Sequence, residues 1–104
     1  VQASFSDHLV YYQRGENRHG GVMTMVRKNI SSTRIACDVP NICIVDLNLE
    51  RTYRLLAVYA PASKSWDWSI LSEFITTRCL LTGDFNVDLE KDGDKATHLM
   101  EWID

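Results

Sequence analysis

The sequence predicts a single domain of the α/β or α+β class, in which strands come first and helices are added late. Several β-prone runs follow one another before the first helical pattern, and a further apolar run separates that pattern from a second one near the C-terminus. A chain of 104 residues, 45% of them hydrophobic, can bury one core but not two. Because strands that directly succeed one another usually pair as antiparallel neighbours, we expect an antiparallel meander.

The predicted strands are recognised by apolar alternation and by the turns between them. A polar turn with Gly20 and Gly21 joins the first two strands into a hairpin, and the second strand is apolar enough to predict cover on both faces. Pro40 and Asn41 break the chain before the most regular pair of runs. We expect that pair and the strand at Cys79 to share one buried sheet, since all three carry apolar residues on both faces. The predicted strands are Leu9 to Gln13, Val22 to Arg27, Arg34 to Asp38, Ile42 to Leu49, Tyr53 to Ala60 and the run that begins at Cys79.

Two stretches have the period of an amphipathic helix. Ser65 can cap a helix from about Trp66 to Thr77, whose apolar residues would face inward. Asp94 can cap a second helix that continues towards the end of the chain. The apolar stripe predicted for the second helix consists of Ala96, Leu99, Met100 and Ile103.

A carboxylate and an amide directly follow the strand at Cys79. Gly83 lets the backbone turn or pass close to another segment. In an extended chain Asp84 and Asn86 would point to one side, while Phe85 anchors the core on the other. A carboxylate can orient or deprotonate water or hold a metal, and an amide can hydrogen-bond a phosphate oxygen. The alternative is that these residues are turn formers at the end of a strand.

The composition narrows the class of protein. A formal net charge of −3 and a pI near 5.5 argue against a protein that holds nucleic acid by a broad basic face. The three cysteines lie within apolar runs without C-x-x-C spacing, which predicts buried reduced thiols rather than disulfides or zinc ligands. No run has the length of a membrane span and no basic segment precedes an apolar one at the N-terminus. We therefore expect an intracellular protein, nuclear or cytoplasmic, without a membrane partner.

Three motifs in a fixed order resemble the endonuclease/exonuclease/phosphatase superfamily. They are Gly20-Gly21-Val22 opening a strand, Val58-Tyr59-Ala60-Pro61 ending a strand, and the stretch Leu81 to Val87, which reads Leu-Thr-Gly-Asp-Phe-Asn-Val. The resemblance is greatest to the apurinic-endonuclease-like domains of non-LTR retrotransposons and extends from about Leu9 to the final helix. It implies a four-layer α/β sandwich around two mostly antiparallel sheets, and metal-dependent hydrolysis of phosphodiester bonds in DNA. Residues 1–104 would be the middle of such a domain, truncated at both ends.

The resemblance also implies roles for three residues. Asp84 would orient or deprotonate the attacking water and contact the metal, Asn86 would fix the phosphate or that carboxylate, and Tyr59 would bring a hydroxyl near the phosphate. The metal would be magnesium or manganese, and no small-molecule cofactor is implied. An alternative for Tyr59 is a packed core aromatic whose hydroxyl reaches the rim.

Several family positions have no counterpart where they are expected. The N-terminal Asn and the metal-binding Glu would precede Val1, the Ser-Asp-His triplet would follow Asp104, and Ala62 stands where many members carry Asn. We therefore expect this chain alone to bind magnesium weakly and to cleave DNA negligibly. Ser6-Asp7-His8 spells the missing triplet at the wrong end of the chain, and we interpret it as a coincidence rather than a circular permutation, because the strands after it follow the ordinary family order.

Two other functions stay open. The same superfamily acts on inositol phosphates, phospholipids and RNA, and the acidic net charge favours these substrates over DNA. The other possibility is a non-catalytic remnant or interaction domain, which the missing metal and histidine positions favour.

Overall fold

The computed structural model describes residues 2–4, 6–62, 66–88, 90 and 92–104, and it confirms an α+β fold with mostly antiparallel sheets. Most strands follow the predicted β-prone runs, but the sequence did not predict a short first strand, and the strand predicted at Arg34 to Asp38 lies earlier, at Ser31–Ile35. The strands are β1 (Gln2–Ser4), β2 (His8–Arg14), β3 (Gly21–Arg27), β4 (Ser31–Ile35), β5 (Ile42–Asn48), β6 (Thr52–Tyr59) and β7 (Cys79–Asp84). A 3₁₀ helix (Trp68–Phe74) lies between β6 and β7, and the helix α1 (Gly93–Ile103) follows β7.

The described strands form two sheets that pack on one another. The first sheet has the order β1-β2-β3, and the second has the order β4-β5-β6-β7, in which only β6 and β7 are parallel. β2 and β3 lie over β5 and β6. The prediction that β5, β6 and the Cys79 strand share one sheet is therefore confirmed. The prediction of a single meander is wrong, because the chain leaves the first sheet after β3 and begins the second sheet with β4.

The central strands β5 and β6 are buried on both faces, because one face meets the first sheet and the other meets the helices. Side chains that alternate along each strand therefore enter two different cores. The core towards the helices contains Ile42, Ile44, Leu56 and Val58 with Trp68, Leu71 and Leu99. The core between the sheets contains Cys43, Val45 and Ala57 with Tyr11 and Val26.

Two strands that were predicted to be covered on both faces are covered on one face only. Leu80 of β7 is 62% exposed, because the first sheet packs on β5 and β6 and β7 lies at the edge beyond them. Met23 and Met25 of β3 are 57% and 48% exposed, because they point away from the second sheet. Apolar alternation gives the face of a side chain, but it does not tell whether another layer covers that face.

The first predicted helix is shorter than expected and has a different cap. It is a 3₁₀ helix from Trp68 to Phe74, where an α-helix from about Trp66 to Thr77 was predicted. Asp67 caps it by accepting a hydrogen bond from the backbone N–H of Ser69 at 3.0 Å. The predicted cap, Ser65, lies outside the described residues.

The helix α1 begins before its predicted cap. Asp92 holds the N-cap position without a side-chain bond to the helix, and Asp94 lies in the first turn. Ala96 and Leu99 are buried as predicted, whereas Met100 and Ile103 are exposed, because Trp102 takes their place against the core. Neither described helix is long and apolar enough to cross a membrane.

The three cysteines are free thiols, as predicted, but only Cys43 is fully buried. Cys37 and Cys79 are half-buried. Burial raises the pKa of Cys37 and Cys43, which keeps both thiols protonated and unreactive near neutral pH.

Candidate phosphate site

The parallel pair β6 and β7 brings two of the predicted site residues to one edge of the second sheet. Both strands end at this edge, and Tyr59 lies directly opposite Asp84 in the register. Neighbouring strands are about 4.8 Å apart, and paired residues in parallel strands point to the same face. Tyr59 and Asp84 are therefore neighbours at the ends of the two strands, and Tyr59 lies on the face of β6 that carries Ala57 towards the first sheet. Asp84 is exposed and Tyr59 is half-buried.

Gly83 allows the end of β7 to approach β6 this closely. Its φ is +136°, and a Cβ at this position would lie 1.9 Å from the carbonyl oxygen of Val58. No side chain can be accommodated there, since the obstacle is backbone. The predicted close approach of the backbone at Gly83 is confirmed, and it sets the position of Asp84.

Asn86 is fastened to the ends of both strands. Its φ of 49° is left-handed, so the chain does not stay extended to this residue, and the condition on which the alternation of Asp84 and Asn86 was predicted is not met. Its backbone N–H instead donates to Oδ1 of Asp84 at 3.0 Å, and its side-chain amide donates to the carbonyl of Ala60 at 2.5 Å. The N–H of Ala60 donates to the carbonyl of Asp84 at 2.8 Å. These bonds hold the carboxylate and the amide at one rim, although by a turn rather than by an extended chain.

Phe85 points into the core, as predicted. Its ring meets the buried Trp68 edge to face, with the ring centroids 5.5 Å apart and the planes at 88°. The segment between Asp84 and Asn86 is therefore anchored from the inside.

Asn41 is a site-positioning residue that sequence reasoning missed. It is 2% exposed and has a left-handed φ of 67°. Its Oδ1 accepts the N–H of Gly21 at 2.7 Å, its N–H donates to the carbonyl of Arg14 at 2.9 Å, and its carbonyl accepts the N–H of Tyr59 at 3.0 Å. Asn41 thus ties both strands of the first hairpin to the end of β6. The sequence signalled only a chain break at this position, because a Pro-Asn pair does not reveal burial.

Tyr59 also borders a depression between the two sheets. This depression is lined by Glu16, Asn17, His19, Gly20, Asn41, Tyr59 and Pro61. Tyr59 is half-buried and shares this depression with His19 of the glycine-rich turn, whereas Asn86 lines a different depression together with Trp68 and Phe85.

The candidate metal ligand of the site is Asp84. Among the described residues, no three His, Cys, Asp or Glu side chains lie close enough together to hold a metal ion. Magnesium is usually bound by one or two carboxylates together with waters and substrate phosphates. Asp84 can supply one such ligand, so we assign no catalytic step to a metal held by this chain.

The Ser6-Asp7-His8 triplet does not join the rim. His8 begins β2, whereas the carbonyl of Arg14 at the other end of β2 contacts Asn41 beside Tyr59. Six residues of strand separate the two ends by about 20 Å. The interpretation of the triplet as a coincidence is consistent with this distance.

No family model and no curated protein matches the chain.

Replacing Asn41 should show how strongly it stabilises this arrangement. Asn41→Ala removes the oxygen that accepts the N–H of Gly21. It also puts alanine at a left-handed φ, which asparagine tolerates better because its side chain can form a hydrogen bond there. We therefore expect the free energy of unfolding to fall by about 2–4 kcal/mol. Asn41→Gly loses the same acceptor but tolerates the φ, so it should lose less. Urea unfolding of both variants measures the difference. Equal stabilities for Asn41→Ala and the unmodified chain would contradict the assigned role.

Proposed function

We propose that this chain is part of a metal-dependent phosphodiester hydrolase, and that the complete protein is a DNA endonuclease of the kind associated with retrotransposon reverse transcriptases. The observation that carries the proposal is that Tyr59 and Asp84 end two neighbouring parallel strands at paired positions, with the backbone N–H of Asn86 bonded to the Asp84 carboxylate. A turn at the end of β7 would not require a tyrosine beside it. The sequence motifs give the proposal its reaction class.

In the proposed reaction, water attacks phosphorus in line with the leaving oxygen. The Asp84 carboxylate accepts a proton from the attacking water while the oxygen of that water bonds to phosphorus. The Tyr59 hydroxyl and the amide N–H of Asn86 that is not bonded to Ala60 donate hydrogen bonds to the phosphate oxygens, where negative charge increases. The bond from phosphorus to the leaving oxygen breaks, and that oxygen takes up a proton from solvent water. A bound metal would add charge stabilisation to this step.

The same proposal assigns the two packed sheets to the inner layers of a four-layer α/β sandwich. Met23 and Met25 support it, because they form an apolar outer face on the first sheet that a helical layer would cover. In this arrangement other parts of the complete protein supply most of the metal ligands. The 104-residue chain alone is therefore expected to cleave DNA negligibly.

Binding of a phosphodiester to the rim tests the proposal with the chain itself. We expect dimethyl phosphate, titrated into isotope-labelled protein, to shift the backbone amide signals of Ala60 and of residues 84–86 more than any others. Tyr59→Phe should weaken this binding, because it removes a donor to the phosphate. NMR titration at constant ionic strength measures both effects.

Tyr53→Phe is the matched control, because Tyr53 lies on the same face of β6 at its opposite end and is 44% exposed. This variant should bind dimethyl phosphate as the unmodified chain does. Shifts scattered over the surface, or equal weakening by both variants, would refute a phosphate site at the rim. Such a result would favour the alternative of a non-catalytic interaction domain.

A further inference from the structure

The three tryptophans of the chain form a single stack beside the rim. Trp68 contacts both other rings: its centroid lies 5.5 Å from that of Trp66, with the planes tilted at 33°, and 6.2 Å from that of Trp102, with the planes at 26°. Trp68 is only 5% exposed, whereas Trp66 and Trp102 are partly exposed. The buried ring of Trp68 is part of the core, whereas the partly exposed rings of Trp66 and Trp102 leave aromatic surface accessible to a ligand.

Two depressions that share Trp66, Trp68 and His98 lie side by side between the segment that precedes the 3₁₀ helix and the helix α1, and together they form a groove along this stack. We call it the tryptophan groove, and its floor and walls include Trp66, Trp68 and His98. Its inner part reaches Asn86 and Lys95, while its outer part reaches Trp102 and two acidic residues, Asp67 and Glu101. The groove therefore begins at Asn86 and leads away from it along aromatic rings.

The charges in the groove change sign along its length. Lys95 lies at the inner end, where its ammonium donates to the carbonyl of Ala62 at 3.1 Å and keeps further donors. At the outer end lie the exposed carboxylate side chain of Glu101 and Asp67, whose pKa is lowered by hydrogen bonds from the hydroxyl and N–H of Ser69. A ligand that fits has an anionic end, a flat ring and hydrogen-bond donors on the far side of that ring.

We propose that the tryptophan groove binds one unpaired nucleobase of single-stranded DNA, next to the phosphate at Asn86. This inference rests on the proposed function, because the phosphate at the rim determines where the base begins. Base stacking on aromatic side chains is a common means of holding single strands. The carboxylate of Glu101 accepts from an exocyclic amino group such as N4 of cytosine, whereas thymine presents an acceptor at that position. The groove therefore prefers cytosine to thymine.

An apolar peptide or a second copy of the chain fits the groove less well. Either occupant would desolvate His98, Asp67 and Glu101 without an evident partner for them. A base within a duplex is stacked on its neighbours and cannot enter the groove. An unpaired base can stack on the tryptophan rings and donate hydrogen bonds to the carboxylate acceptors.

Tryptophan fluorescence tests the proposal directly, because all three tryptophans of the chain belong to this stack. A short oligo-deoxycytidine should quench the emission and bind more tightly than an oligo-deoxythymidine of equal length. An abasic oligonucleotide of that length should bind at least roughly tenfold more weakly and quench little. Glu101→Gln, at an exposed helix position, should leave folding unchanged and reduce the preference for cytosine.

The outcomes separate this inference from the proposed function. Equal binding of base-containing and abasic oligonucleotides, with dimethyl phosphate still shifting the signals at residues 84–86, would overturn the groove and leave the phosphate site standing. Loss of both responses would overturn both proposals. Emission that changes with protein concentration instead of with added DNA would assign the groove to a second copy of the chain and would also overturn the inference.

Trp66→Leu provides a second variant, which should lose roughly tenfold in affinity for oligo-deoxycytidine but should bind dimethyl phosphate unchanged.

Discussion

Gly83→Ala is expected to destabilise the chain by about 3–5 kcal/mol, which is much of the stability that a small domain has. The added Cβ would lie 1.9 Å from the carbonyl oxygen of Val58 and 2.9 Å from its carbonyl carbon and nitrogen. These atoms belong to the backbone of the central strand β6, so no side-chain rotation can relieve the clash. The φ of +136° adds strain for any residue other than glycine. Urea unfolding measures the loss.

Gly93→Ala is the matched control for this prediction. A Cβ at Gly93 would meet no atom within 4 Å, and Gly93 begins the helix α1. Alanine there should be neutral, or stabilising by up to about 1 kcal/mol, because it lowers the entropy of the unfolded chain. Similar unfolding midpoints for the two variants would show that β7 does not approach β6 as closely as described.

The sheet was predictable from the sequence to the extent that local pattern determines it. Alternating apolar residues located β5 and β6, and the apolar run at Cys79 located β7. The exposure of Leu80 and Met25 was not predictable, because the same alternation serves a covered face and an uncovered one. The length of the helix at Trp68 was also missed, since the capping residue proved to be Asp67.

The candidate site was predictable where it depends on strand ends and not where it depends on distant contacts. Tyr59 and Asp84 both close strands, so a shared rim followed once those strands were parallel neighbours. The turn at Asn86 and the burial of Asn41 depend on hydrogen bonds to segments many residues away. Such contacts leave no local pattern in a single sequence.

Asp84→Asn in the product of the complete reading frame is expected to slow phosphodiester hydrolysis by at least roughly a hundredfold, as for the loss of a general base. The amide keeps the size of the carboxylate, and its oxygen can still accept the N–H of Asn86. Asp84 is exposed at the end of an edge strand, so folding should be nearly unchanged. The variant removes the charge and the proton acceptor without removing the turn.

Asp88→Asn is the control with the same change of charge. Asp88 is exposed and accepts the N–H of Glu90 in the turn that leads to α1, outside the rim. This variant should hydrolyse DNA at nearly the rate of the unmodified protein.

The rate at which the complete protein nicks supercoiled DNA with magnesium, compared between Asp84→Asn and Asp88→Asn at equal folded concentrations, tests the proposed hydrolase most directly. We predict a loss of at least roughly a hundredfold for Asp84→Asn and little change for Asp88→Asn. An unchanged rate in folded Asp84→Asn would contradict the role of Asp84 and, with it, the proposed active site.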